Sequence, residues 1–164
     1  MKKLLFLLVF MAYMSVSFGQ LKGTTNCPEI TVDVMTGRVN GIKPDVPLVE
    51  MKSLLSCYKF AAIEETDSAK CGGGIFAKDK DIYFYTKRDY IEVGEKFKGK
   101  LTVPLFGQPR SSMFSKFGNP KIKDKNWDAY VMQYGTLVVY YNAANKVNKI
   151  QFSTLGTELL SLCE

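Results

Sequence analysis

Histidine is absent from this sequence of 164 residues. Histidine is the usual general base near neutral pH, the partner of serine and cysteine nucleophiles, and the commonest transition-metal ligand. The sequence has no CxxC pair either, so the other usual zinc pattern is missing. The acidic run Asp79-Lys80-Asp81 alternates with lysine as solvated turns do, and Asp124 and Asp128 stand apart from it. We therefore expect a protein that is not an enzyme and that holds no metal and no cofactor.

Arginine is scarce, and no dense basic stripe occurs. The three arginines are Arg38, Arg88 and Arg110, and the lysines alternate with acidic residues. A nucleic-acid-binding protein would present clustered basic residues or an aromatic platform flanked by arginines. The glycine run 72–74 is not followed by a helix that begins with Lys-Ser or Lys-Thr, so it does not predict a phosphate-binding loop. We expect no nucleic-acid partner.

Long apolar runs are confined to the first nineteen residues, which have the composition of a signal peptide. Lys2 and Lys3 precede an apolar stretch over residues 4–14, and the small residues Ser17 and Gly19 stand at the expected cleavage point. Cys27 is too far from this cleavage point for a lipid anchor. Loss of the two lysines changes the formal net charge from +6 to +4. The sequence thus predicts a periplasmic or secreted protein without a stable membrane anchor.

The four cysteines all follow the predicted signal peptide, and an even number in an exported chain predicts two disulfides. Three pairings are possible for Cys27, Cys57, Cys71 and Cys163. We favour Cys57–Cys71, because the helix that carries Cys57 must return through the polar segment 61–70 to the next strand. Cys27–Cys163 would then join the two ends of the chain.

The second half of the chain repeats the plan of the first half. Each half runs through a strand, a short helix, a glycine break and aromatic strands, which predicts an α+β fold of two tandem modules, each a short helix packed on an antiparallel sheet. The modules are residues 20–97 and 98–164, after the signal peptide 1–19. Each is too small to bury much apolar surface alone, so we expect them to share a sheet. The paired segments are 37–42 with 99–104, 48–60 with 111–121, and 81–93 with 136–152.

The spacing of apolar residues along the sequence predicts the main helices and strands. Leu48, Met51, Leu54, Leu55 and Tyr58 recur at helical spacing, and a second short helix is expected from a cap at Ser111 to Gly118. Alternating segments predict a hairpin over 30–35 and 37–42, a strand over 81–86, and three strands over 129–134, 136–141 and 146–152. Residues 156–163 are expected to form a final helical turn or two.

Aromatic residues concentrate on these strands. A sheet covered by helices on one side leaves its other face to solvent or to a partner, and tyrosine and tryptophan dominate protein–protein hot spots. Some of these side chains must fill the core, and the sequence does not say which ones. The candidate partner face comprises Tyr83, Tyr85, Trp127, Tyr130, Tyr134 and Tyr140.

The second module also matches a known pattern. Phe117-Gly118-Asn119-Pro120, the tyrosine strands and Lys146-Val147-Asn148-Lys149-Ile150 resemble the helix–hairpin–strand module of the beta-lactamase inhibitory protein family, which small outer-membrane assembly lipoproteins share. The resemblance implies two modules whose sheet face binds another protein. We therefore expect an exported protein-binding module, possible roles being those of an inhibitor or an immunity protein. The alternatives are a structural or assembly factor of the cell envelope, and a ligand-binding or hydrolytic protein that uses carboxylates.

Overall fold

The computed structural model describes residues 27–58, 61–63, 73–77, 79–85 and 88–162. The predicted signal peptide, Cys71 and Cys163 lie outside these residues. The described part is an α+β fold, as predicted, with two short α-helices, α1 (Leu48–Leu54) and α2 (Met113–Phe117). None of its helices is long and apolar enough to cross a membrane.

Eleven strands form two sheets in the described part of the chain. The strands are β1 (Thr31–Asp33), β2 (Arg38–Val39), β3 (Ala61–Ile63), β4 (Gly74–Ala77), β5 (Ile82–Tyr85), β6 (Tyr90–Gly94), β7 (Lys100–Leu101), β8 (Ile122–Lys123), β9 (Trp127–Met132), β10 (Gly135–Tyr141) and β11 (Val147–Ser153). The small sheet has the order β2-β1-β7, in which β1 is antiparallel to β2 and parallel to β7.

The large sheet joins the two halves of the chain. Its order is β3-β4-β5-β6-β11-β10-β9-β8, and all its neighbours are antiparallel. The order is symmetric about the β6–β11 pair, with a helix and four strands from each half of the chain on either side. The expectation of one shared sheet is confirmed by this central pair, in which Ile150 faces Val93.

The core lies on one face of the large sheet, between it, the two helices and the small sheet. Alternation along β5 sends Ile82 and Phe84 into the core, and Ile91 and Val93 of β6 join them. Each helix buries one methionine there, Met51 from α1 and Met113 from α2. Burial of such a side chain stabilises a fold by about 1.5–3 kcal/mol, which explains why helices this short persist.

Two local expectations need correction. A 3-10 turn over Arg110–Ser112 precedes α2, so Ser111 lies inside this turn, and neither it nor the N-cap Ser112 makes a side-chain capping hydrogen bond. The helix ends at Gly118 as predicted, where φ is +75°. A hydrogen bond from Leu159 N to Gly156 O closes a single turn over residues 156–159, and residues 160–162 have no regular structure, in place of the expected helix.

Cys57 is bonded to Cys27, so the predicted Cys57–Cys71 pairing is wrong, and so is Cys27–Cys163. The chain that leads into β1 lies beside the C-terminal end of α1, where the Tyr58 hydroxyl donates a 2.9 Å hydrogen bond to Pro28 O. This packing brings the Cα atoms of the two cysteines to 5.5 Å, although 30 residues separate them. A disulfide is typical of proteins from oxidising compartments, which agrees with an exported protein.

Candidate protein-binding face

The face of the large sheet that points away from the helices carries aromatic and charged side chains. Tyr83 and Tyr85 alternate with the core residues of β5, and Glu92 does so in β6. We call this surface the tyrosine face. Its side chains in β4, β5, β6, β9, β10 and β11 include Phe76, Tyr83, Tyr85, Tyr90, Glu92, Trp127, Val138, Tyr140, Lys149 and Gln151.

Strand register brings four polar side chains together at the centre of this face. Gln151 is opposite Glu92, and Lys149 is opposite Tyr140. The Gln151 amide donates to Glu92 Oε2 at 2.6 Å, and the Tyr140 hydroxyl donates to Gln151 Oε1 at 2.9 Å. Lys149 Nζ lies 3.3 Å from Glu92 Oε2 and 4.1 Å from the centre of the Tyr140 ring. The four side chains therefore hold one another in fixed positions on a partly exposed surface.

An aromatic cluster flanks this centre on the side of β4, β5 and β6. The ring of Phe76 lies 5.4 Å from that of Tyr83 and 5.5 Å from that of Tyr85, and Tyr85 lies 4.6 Å from Tyr90. Burial raises the pKa of Tyr85, and Glu92 and the neighbouring tyrosines raise it further. The pKa of Tyr83 is raised by burial as well, so the Tyr83 and Tyr85 hydroxyls are neutral near pH 7.

A groove crosses the tyrosine face between Tyr83 and Tyr140. It encloses a volume of about 660 Å³. Glu92 and Lys149 lie between the two tyrosines, and the Asp81 carboxylate occupies the space beside Gly94, which is opposite Lys149. Further charged residues line it at Asp81, Glu95 and Lys96.

The C-terminal segment 154–162 lies against another part of the tyrosine face. The Thr136 hydroxyl donates to Leu155 O at 2.8 Å, and Arg88 Nη1 donates to the carbonyl and hydroxyl oxygens of Ser161 at 3.2 and 2.9 Å. Thr136 and Val138 point to the tyrosine face but are fully buried. This segment therefore covers part of the tyrosine face.

An apolar patch lies at the end of the sheet that β8 forms. Leu160 and Leu162 of the C-terminal segment line a cavity of about 410 Å³ together with Ile122 and Trp127. Val131 of β9 is largely exposed beside this end. Trp127 thus has an apolar environment on one side, and its ring lies 6.5 Å from the ring of Tyr140 on the other.

Four of the six predicted face residues lie on the tyrosine face, namely Tyr83, Tyr85, Trp127 and Tyr140. Tyr130 and Tyr134 do not lie on this face. Tyr130 is only 2% exposed and packs in the core against Phe117. Tyr134 lies in the β9–β10 turn, where its ring packs on Phe152 and Gly37, and burial strongly raises its pKa.

The sequence reasoning did not select Glu92, Lys149 or Gln151. A signal for them was present, because Glu92 stands between the apolar Ile91 and Val93, and Lys149 and Gln151 flank the apolar Ile150. Alternation of this kind places the polar residue on the face opposite the core. Their closeness to one another depends on the β6–β11 pairing, which the local sequence does not specify.

Asp128, one of the scattered acids, has a structural role. It is buried on the core side of β9, where Arg110 Nε donates to Oδ2 at 2.9 Å and the Tyr141 hydroxyl donates to the same oxygen at 2.8 Å. Arg110 also stacks on the Tyr141 ring, with its guanidinium carbon 4.7 Å from the ring centre. Asp79 is exposed beside Lys80. Among the described residues, no three Cys, Asp or Glu side chains lie close enough together to hold a metal ion.

Comparison with known proteins gave no match: no family model, no curated protein and no solved structure is similar to this chain.

Proposed function

We propose that this chain is an exported, non-enzymatic protein that binds another protein through its tyrosine face. The proposal rests on one observation. Four side chains line an open groove on the sheet face that points away from the core, and they are Tyr83, Glu92, Lys149 and Tyr140. Tyrosine and tryptophan are enriched at protein interfaces, because each combines a large apolar area with a hydrogen-bonding group.

The polar groups of this face favour a specific partner over unspecific apolar association. Glu92, Gln151 and Lys149 are bonded to one another before any partner arrives. A partner therefore meets side chains whose conformational entropy has already been lost, which lowers the cost of binding. The rings beside them supply the apolar area that hot spots require.

Within this proposal, an inhibitor or an immunity protein is the leading role, and a structural or assembly factor of the cell envelope is the alternative. Support comes from the sequence resemblance to tandem helix–hairpin modules and from the symmetric strand order about β6 and β11. We further propose that residues 20–97 and 98–164 arose as two copies of one module. The leader 1–19 and the Cys27–Cys57 disulfide support export.

The test is affinity capture of the partner from envelope and secreted fractions, followed by quantitative binding. Tyr83→Ala and Tyr140→Ala are compared with Phe114→Ala, whose ring is 63% exposed but lies on the helix side. A central hot spot is worth about 2 kcal/mol or more, so we expect a roughly thirtyfold loss of affinity for one of the first two variants and none for the control.

The identity of the captured protein separates the two roles. A soluble toxin or enzyme whose activity falls on binding supports an inhibitor or immunity protein, and a membrane-embedded partner supports an assembly factor. If all three variants bind the partner with equal affinity, binding does not use the tyrosine face and the proposal fails.

A further inference from the structure

The two central hairpins present the same pair of positions on the tyrosine face. In the β5–β6 hairpin, Tyr83 is the cross-strand neighbour of Glu92, and in the β10–β11 hairpin, Tyr140 is the cross-strand neighbour of Lys149. The charged member is an acid in the first pair and a base in the second. The groove therefore has two tyrosine walls whose electrostatic surroundings differ.

The Tyr140 wall already holds a cation. The Lys149 ammonium lies 4.1 Å from the centre of the Tyr140 ring and 3.3 Å from Glu92 Oε2. An aromatic face and a carboxylate together form a favourable site for a positive group. The chain thus fills one such position with its own side chain.

The Tyr83 wall offers the same chemistry with acidic neighbours. Asp81 and Glu92 line the groove together with Tyr83, Glu92 as its cross-strand neighbour and Asp81 two residues before it in the chain. Burial raises the pKa of the Tyr83 hydroxyl, and the negative charges of Asp81 and Glu92 raise it further, which agrees with a negative potential at this ring. In the described part of the chain, the cation–π contacts are those of Arg110 on Tyr141 and Lys149 on Tyr140.

The geometry leaves room at this wall. Asp81 Oδ2 accepts a 2.9 Å hydrogen bond from Lys96 N, which fixes the carboxylate over Gly94. The Asp81 carboxylate fills the space beside Gly94, and the groove of about 660 Å³ that it lines is large enough for an arginine side chain. The acidic residues that line the groove outnumber the basic ones by one. The acids are Asp81, Glu92 and Glu95, and the bases are Lys96 and Lys149.

We infer that the groove binds a cationic side chain, best an arginine, which the partner protein inserts over the Tyr83 ring between Asp81 and Glu92. This inference rests on the proposed function and names the group that the partner presents. Guanidinium suits the position because its plane stacks on a ring while its N–H groups bond to carboxylates at the edge. The partner's contact surface is accordingly basic.

The test uses small probes, so it does not need the partner. The oxidised, exported protein is titrated with N-acetyl-arginine methylamide and with the neutral, isosteric citrulline derivative, and backbone amide shifts are followed by NMR. We expect saturable shifts at Tyr83, Glu92 and Gly94 with arginine, at millimolar affinity, and roughly threefold to tenfold weaker binding of citrulline.

Variants separate the site from general effects. Asp81→Asn and Glu92→Gln keep the side-chain shape and should weaken arginine binding by about threefold to tenfold, whereas Glu50→Gln on α1 should not change it. Lys149→Met removes the competing cation and should strengthen arginine binding. A gain of affinity does not arise from misfolding, so this variant keeps the test valid if another variant is unstable.

Three results would overturn the inference: equal binding of arginine and citrulline, shifts away from the groove, or the same shifts with N-acetyl-glutamate methylamide, which would mean an anionic ligand at Lys149 and Lys96. If these occur while partner capture still depends on Tyr83 or Tyr140, only the cationic-group inference fails. If arginine binds as expected but no partner depends on the tyrosine face, the proposed function fails instead.

Discussion

Arg110 binds the carboxylate of Asp128 through two of its nitrogens, Nε and Nη2. The guanidinium also donates to the backbone carbonyls of Asp124 and Lys125, at 2.7 and 3.1 Å. Through these bonds one side chain ties the turn before α2 to β9 and to the loop ahead of it. Hydrogen bonding to Asp128 raises the pKa of Arg110, so the guanidinium stays charged at all ordinary pH values.

The first prediction concerns this pair. Arg110→Met should lower the free energy of unfolding by about 2–4 kcal/mol, because it leaves the Asp128 carboxylate buried and unpaired. The measurement is chemical denaturation at pH 7. Lys116→Met in α2, an exposed position, is the matched control and should change stability by less than about 0.5 kcal/mol. Equal stability of both variants would contradict a structural role for the pair.

The second prediction separates core tyrosines from face tyrosines. Tyr130→Ala should cost about 3–5 kcal/mol of stability, since it removes a fully buried ring next to Phe117. Tyr140→Ala, on the tyrosine face, should cost about 1 kcal/mol, because its ring is partly exposed and the main loss is its hydrogen bond to Gln151. Thermal and denaturant unfolding of both variants measures the difference. A larger loss for Tyr140→Ala would show that the tyrosine face is core.

The third prediction concerns the disulfide. Peptide mapping under non-reducing conditions should recover Cys27 linked to Cys57, and a Cys57–Cys71 peptide would contradict the structure. The double variant Cys27→Ser/Cys57→Ser should lose about 3–4 kcal/mol, the chain-entropy value for a loop of this length. Unfolding of the oxidised wild type and of the variant gives the difference, and the single Ser variants report any disulfide exchange.

The fourth prediction uses Asp89 in the β5–β6 turn. Burial raises its pKa despite hydrogen bonds from Thr154 and Ser153, Asp45 raises it further, and its Oδ1 is buried without a hydrogen-bond partner. A carboxyl whose pKa is higher in the folded state adds stability below its unfolded pKa and loses this contribution as the pH rises through the folded pKa. Asp89→Asn should therefore be more stable than the wild type at pH 7, and the difference should shrink toward pH 3.

Denaturant unfolding at several pH values checks this prediction. Asn suits position 89 because φ there is +48°, a conformation that Asn tolerates. Asp45→Asn is the control, since it removes only the neighbouring charge and should give a smaller change of the same sign. If the stability difference between Asp89→Asn and the wild type does not depend on pH, titration of Asp89 makes no contribution.

The face to which each strand side chain points could be predicted where apolar and polar residues alternate clearly in the sequence. In β5, the order Ile-Tyr-Phe-Tyr puts one class of side chain on each face, and the structure places Tyr83 and Tyr85 together on the outside. The order Trp-Asp-Ala-Tyr in β9 has no such alternation, because its inward residue Asp128 is polar. The inward direction of Tyr130 could therefore not be read from the sequence. Arg110, which pairs with the buried Asp128, lies 18 residues away along the chain.

The sequence by itself determined what depends on neighbours along the chain: the α+β class, the end of α2 at Gly118, and the hairpin strands of the second half. These follow from side-chain periodicity and turn residues. Tertiary structure alone decided the partner of Cys57, the meeting of Glu92 with Lys149, and the cover that the C-terminal segment gives to part of the tyrosine face. Each of these depends on which distant segments pack together, and that is set by burial of the whole core.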